Sequence, residues 1–201
     1  MKYLTLLSGI LFGLVLFTNS SFANPYGDGN YGACQFNDCT ISLTTSGSIS
    51  VNITPVGGST TCSDNNDSVG VNTDSSTGYS LTLGDNDTNT NLVGASHGSN
   101  ITSTTGSFGS PSTLSANHWG YRVDGAGGFG SGPTSSGSNT SPLTLGFAGV
   151  QSSSNTPDTI VSTNSPADPT QTTNVWYGAC SDTTIPADTY SDTVIYTAVV
   201  N

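Results

Sequence analysis

Residues 40–54 read TISLTTSGSISVNIT, and the alternation in this stretch decides the fold. Ile41 and Leu43, then Ile49, Val51 and Ile53, occupy every second position, with Ser, Thr or Asn between them. A period of two sends the apolar set to one face of a β-strand and the polar set to the other. The break at Ser46-Gly47 separates two such strands.

The pattern recurs outward from there. Tyr79, Leu81 and Leu83 alternate with Ser and Thr in YSLTLG, residues 79–84. Further β-branched or aromatic runs predict strands over residues 68–73, 118–123, 145–150, 159–163, 173–179 and 191–200. No segment carries a sustained apolar repeat at helical spacing. Glu is absent, and Lys, Arg and Met are nearly so, which removes the usual helix formers. About eight or nine antiparallel strands of this kind predict an all-β, immunoglobulin-like sandwich, each sheet buried on one face and wet on the other. Residues 97–117 and 124–142 are rich in Gly and Ser and read as long loops. In a sandwich such loops gather at the ends, where binding loops sit.

The N-terminus reads as a secretory leader over residues 1–23: Lys2, an apolar run over residues 4–17, and Ser21-Phe22-Ala23 as a small-x-small cleavage signal. The run is shorter than the roughly 20 residues that span a bilayer, so no transmembrane anchor is expected. No Cys follows it closely enough for lipid attachment, and no acidic residue opens the apolar run as in type IV pilin precursors. The remaining residues, 24–201, suit one domain. They end inside an expected strand, without a sortase motif, an apolar tail or a basic stop-transfer run. These features predict a secreted or cell-surface protein that is released or held by non-covalent contacts.

Once Lys2 leaves with the leader, Arg122 is the sole Lys or Arg against 13 acidic residues, all of them Asp. That balance excludes a surface that tracks nucleic-acid phosphates. The absence of lysine also excludes Lys–Asn isopeptide cross-links. Ser, Thr, Asn and Gly supply the polar surface instead.

Cys34, Cys39, Cys62 and Cys180 form an even set, which in an exported chain reads as disulfides with three possible pairings. We favour Cys34–Cys39, closing the short CQFNDC loop, and Cys62–Cys180, tying an early strand to a late one. Zinc is the competing reading. It lacks a second knuckle to match the first C-x4-C, and both His are far away in sequence.

Catalytic groups are sparse. Most Asp lie in turn-like contexts such as SDNNDS, GDND and TPDT, where the carboxylate caps local backbone. A Ser-His-Asp set would need His97 or His118, and no Ser lies in a G-x-S-x-G context. No catalytic residues are therefore assigned. The stretch GDNDTNTNLV, residues 84–93, alternates Asp85, Asp87 and Asn89 as oxygen ligands do in a calcium loop. It has Thr90 where an EF-hand needs Gly and Ser96 where it needs a bidentate Glu. It reads as a polar connection after a strand, with a weak calcium site as its functional alternative. No other cofactor is expected.

Among the aromatics, Trp119, Tyr121, Trp176 and Tyr196 are expected to point into the core, with Arg122 outward. Phe129 in the GAGGFGSGP loop is a candidate binding tip, beside Arg122 and Asp124. An exposed Trp platform would instead suit stacking on sugars.

The motifs TGYSLTL, WGYRVDG followed by GFGSGP, VWYGAC and PADTYSDTVIYTAVV together resemble a family of small exported β-sandwich proteins of bacterial cell surfaces. The wider kin includes WxL-type wall-binding domains and immunoglobulin-like adhesin modules, whose last hairpin ends in a similar G/D-x-Y-x-x-x-V-x-Y pattern. This chain has HWGY and VWYG where the WxL domain has Trp-x-Leu, and no catalytic residues come with the resemblance. It implies a non-catalytic structural or adhesion-type protein whose partner is a surface glycan or protein, or another copy of itself. In the self-assembling variant, the strand at residues 40–45 would add to a neighbour's sheet edge. The alternative is a carbohydrate-binding module that uses strand and loop aromatics.

Overall fold

A computed structural model describes residues 39–55, 57–131, 134 and 144–201, together with the backbone of residues 8–14. Cys34, the cleavage site expected after Ala23 and most of residues 132–143 lie outside the described residues. The described elements are all strands: β1 (Ser8–Leu14), β2 (Ile41–Thr44), β3 (Ser48–Ile53), β4 (Thr61–Thr73), β5 (Tyr79–Asp85), β6 (Leu92–Gly94), β7 (Asn100–Ser103), β8 (Ser112–Thr113), β9 (His118–Val123), β10 (Gly146–Phe147), β11 (Asp158–Ser162), β12 (Ala167–Ser181) and β13 (Thr189–Val200).

Hydrogen bonding runs in the order β11-β5-β13-β6-β7-β9-β12-β4-β2, with β1 joined to both β13 and β3, and a separate pair β10-β8. The path folds on itself where the β6–β7 hairpin crosses between two layers. One layer holds β11, β5, β13, β6, β1 and β3, and the other holds β7, β9, β12, β4 and β2.

The core between the layers is built by the expected alternation. Ile49, Val51 and Ile53 of β3, Leu81 and Leu83 of β5, and Val194 and Tyr196 of β13 meet Val69 and Val71 of β4, Trp119 and Tyr121 of β9, and Tyr177 of β12. The Tyr177 and Tyr196 hydroxyls hydrogen-bond across the two layers at 2.5 Å, and Trp119 Nε1 donates to the Thr90 carbonyl at 3.0 Å. Each buried ring thus satisfies its polar atom within the core. The all-β sandwich and the inward Trp119, Tyr121 and Tyr196 are as the sequence predicts.

The structure departs from the sequence reading in several places. The strand expected over residues 145–150 is confined to Gly146–Phe147, and Asp158 of TPDT opens β11. The pairing is mixed rather than antiparallel throughout, because β1 runs parallel to β13 and β7 parallel to β9. Residues 97–117 are not one loop, since they contain β7 and β8. SDNNDS is not a turn, because Ser63 through Ser68 lie within β4, and Asp64 and Asp67 are buried there. Finally, Trp176 shares a strand face with neither Tyr177 nor the inter-layer core. It pairs with Arg122 in the β12–β9 register and takes the opposite face of the sheet.

That opposite face is not wet. Leu114 and Phe147, beside and within the β8–β10 pair, form a second apolar cluster there with Cys62 and Cys180, while Ala148 just after β10 pairs with Tyr121 at the edge of β9. Two glycines make the close approach possible. A Cβ at Gly120 would stand 2.5 Å from the Ala148 carbonyl oxygen, and one at Gly178 would stand 2.6 Å from the Phe147 ring. The Gly in WGYR and the Gly in WYGA are therefore packing residues, which alternation alone does not reveal.

Candidate functional site

Arg122, Asp124 and Phe129, singled out in the sequence, do come together. Arg122 sits on the outer face of β9, but the segment folded over that face leaves it only 2% exposed. Its Nε donates to Asp124 Oδ1 at 2.7 Å and to Thr134 Oγ1 at 2.8 Å, and Nη1 reaches the Gly146 carbonyl at 3.4 Å. Asp124 also accepts from the Thr134 backbone N–H at 2.6 Å and from its hydroxyl at 2.6 Å. Partial burial pushes the Asp124 carboxyl up, but the Thr134 donors and the guanidinium outweigh it and hold the group below its ordinary value. The pair is a latch that fastens the loop after β9, with its charge neutralised inside the cluster.

Phe129 is not a loop tip. It is 6% exposed, with the Arg122 guanidinium 5.7 Å above its ring and edge-on contacts to Phe108 and Tyr121 at 5.7 and 5.8 Å. Turn bonds from Ala126 N to Val123 O and from Phe129 N to Ala126 O fold the loop back to seat it. Beside this latch a cleft of about 560 Å³ opens between the loop and β11–β12, lined by Asp124, Ser131, Ile160, Thr172 and Asn174. Among the described residues no aromatic ring lines it. Trp119 is fully buried and Trp176 nearly so, at 0% and 9% exposure. Neither therefore offers a stacking platform for sugars.

At the end of β5, Asp85, Asp87 and Asn89 form a ladder of local turns. Asp85 Oδ1 accepts from Asp87 N at 2.8 Å, Asp87 Oδ1 from Asn89 N at 2.6 Å, and Asn89 Oδ1 from Asn91 N at 3.3 Å. One oxygen of each candidate ligand is thus already committed to backbone. Among the described residues, no group of three His, Cys, Asp or Glu is arranged to hold a metal ion.

The sequence did not point to Asp192 as Asp85's neighbour. Asp85 continues the inward face of Leu81 and Leu83, and Asp192 that of Val194 and Tyr196, so both carboxyls face the sandwich interior at one end. Their Oδ2 atoms are buried, and among the described residues neither atom has a hydrogen-bond partner. Burial, and then the Asp85 charge, push Asp192 up to about 8. Two carboxyls placed like this share one proton. Only the register of β13 against β5, Val194 opposite Asp85, brings them together.

His97 Nδ1 lies 3.3 Å from Asp188 Oδ2. Burial raises Asp188, but backbone N–H groups of Ser96, His97 and Thr189 bring it down to about 2. His118 Nδ1 is bonded to the Ala116 carbonyl. Among the described residues no serine hydroxyl hydrogen-bonds either His, so the geometry of an activated nucleophile is not assembled around them.

Cys62 and Cys180 form a disulfide, Sγ–Sγ 2.06 Å, across directly paired positions of β4 and β12. This is the pairing favoured from the sequence. Cys39 is also disulfide-bonded; Cys34, expected as its partner, lies outside the described residues. No helix among the described residues is long and apolar enough to cross a membrane. No protein-family model, no curated protein and no solved structure matches the chain.

Proposed function

We propose that the protein is an exported, non-catalytic β-sandwich that acts outside the cytoplasm as a structural or adhesive surface component. The observation that carries this reading is a sandwich locked by a disulfide across β4 and β12, with polar, almost cation-free sequence outside its core. A disulfide of this kind persists where thiols are not kept reduced. Such a surface resists non-specific contact with anionic partners and leaves shape, hydroxyls and backbone as the means of recognition. The charged side chains support the non-catalytic part of the reading: Arg122, Asp124 and Asp188 are all held in structural hydrogen bonds. Burial of both Trp removes the main support for a carbohydrate-binding module.

The test is fractionation of the native host, with intact mass and non-reducing peptide mapping of the recovered chain. The expected result is a product starting near Asn24, found outside the cytoplasm, with Cys62 joined to Cys180. A chain kept inside the cell with free thiols at Cys62 and Cys180 refutes the proposal.

A further inference from the structure

Strand β1 occupies a gap. On one side it pairs antiparallel with β3, Ser8 opposite Ile53 through Gly13 opposite Ser48; on the other it pairs parallel with β13, Gly9 opposite Thr189 through Leu14 opposite Val194. The strands flanking it are not hydrogen-bonded to each other, and β1 is the sole ladder partner of β3 among the described strands. β13 has β5 and β6 on its other edge, so its residues 189–194 depend on β1 for the remaining ladder. Yet β1 lies within the segment read as a leader.

We propose that the gap between β3 and β13 is a receptor for a β-strand donated by a different polypeptide, an extended, apolar and uncharged segment of the chemistry seen in residues 8–14, SGILFGL. The proposal rests on the export reading, because removal of residues 1–23 is what opens the gap. Two parallel rows of N–H and C=O groups would then face each other over the core. β3 is not free to peel away and relieve them, because Ile49, Val51 and Ile53 are core residues. A glycan or lipid does not match that double row; a peptide backbone at strand spacing does.

Three observations choose the donor. Apart from β3, which the core holds in place, the strands described in the rest of the chain stay paired, including β2, which is bonded to β4, so a second copy would have to strip its own sheet to donate one of them. Position 12 of the occupant stands opposite Asp192, whose carboxyl shares a single negative charge with Asp85, and the whole chain has a net charge of -11, so a donor with acidic residues there is disfavoured. Finally, the segment seated in the gap is itself free of charged residues.

The test uses the exported chain, with its N-terminus defined by intact mass, beside the full chain. The probe is a synthetic SGILFGL peptide flanked by lysines for solubility, with a control peptide carrying proline at alternate positions. In the processed chain, amides of β3 and residues 189–194 should exchange about 100-fold faster than those of β4 and β12. The peptide should restore their protection and raise Tm by about 5 °C, and the proline control should do neither. If β3 is as protected in the processed chain as in the full chain, or if millimolar peptide changes nothing, the receptor is refuted. Stable homo-oligomers of the processed chain with a protected β3 overturn the choice of a different donor. If the exported protein retains residues 1–23, leader removal fails instead, and β1 completes the sheet in cis.

Discussion

Replacing Asp192 with Asn should make the protein less sensitive to alkaline pH, and the size of the effect follows from the carboxyl pair at the end of β5 and β13. In the folded chain Asp192 titrates at about 8, against 3.8 for an ordinary Asp, because of burial and the neighbouring Asp85. A raised folded pKa means that the folded state holds the proton more tightly than the unfolded chain. The resulting stabilisation is complete below about pH 4 and is lost progressively as pH rises through about 8. At ~1.4 kcal/mol per unit, the whole shift would correspond to roughly 6 kcal/mol. Asp192 is only partly buried and water screens the repulsion, so we reduce the expected loss to about 2 kcal/mol. In Asp192→Asn the amide carries no charge, so the repulsion from Asp85 is absent at every pH. Urea unfolding at pH 5, 7 and 9 measures both chains. The wild type should lose about 2 kcal/mol from pH 5 to pH 9, a drop of about 4–8 °C in Tm for a chain of this size, and the variant less than a third of that. A wild type equally stable at pH 5 and 9, or a variant with the same pH slope, refutes the shared proton.

Reducing the Cys62–Cys180 bond, or replacing both residues with Ala, should cost about 5 kcal/mol on the loop-entropy estimate for a sequence separation of 118, read as a fall in the urea midpoint. Arg122→Met should cost about 2–4 kcal/mol by stranding Asp124, while Arg122→Lys should recover part of that by restoring a cation without the guanidinium fork; differential scanning calorimetry separates the two. Gly178→Ala should cost about 1–3 kcal/mol, because the new methyl meets the Phe147 ring, and near-ultraviolet circular dichroism should report the displaced aromatic cluster. Tryptophan fluorescence should be blue-shifted and resistant to acrylamide, and unmoved by mono- or oligosaccharides; a sugar-dependent change would restore the carbohydrate reading.

Much of the fold was legible because alternation is a local property. Ile49, Val51 and Ile53 face the core for the same reason that they stand two apart, and so do Tyr79, Leu81 and Leu83. The reach of β4 through SDNNDS was not legible. Asp and Asn favour turns when water is the alternative, and here the long β12 ladder overrides that preference. Trp176 was misplaced because a large ring usually marks the inter-layer core, whereas this sheet is covered on its outer face as well. The candidate site was half legible. Arg122 and Asp124 stand two apart on one strand face, which foretells an ion pair. Nothing local says that Phe129 and Thr134 will close over that pair and bury it. The Asp85–Asp192 pair was invisible because it joins residues more than 100 positions apart.

The sequence by itself determined the all-β class, the near absence of cations, the inward aromatic positions of β9 and the cysteines available for Cys62–Cys180, because each follows from composition or from a period of two. Tertiary structure alone decided which strand edges are paired, that the outer face of β9–β12 is roofed, that two carboxyls share one end, and that among the described strands β3 and β13 are joined only through residues 8–14. The physical reason is that hydrogen-bond ladders and layer contacts join residues far apart in the chain, and no local pattern encodes which edge will meet which.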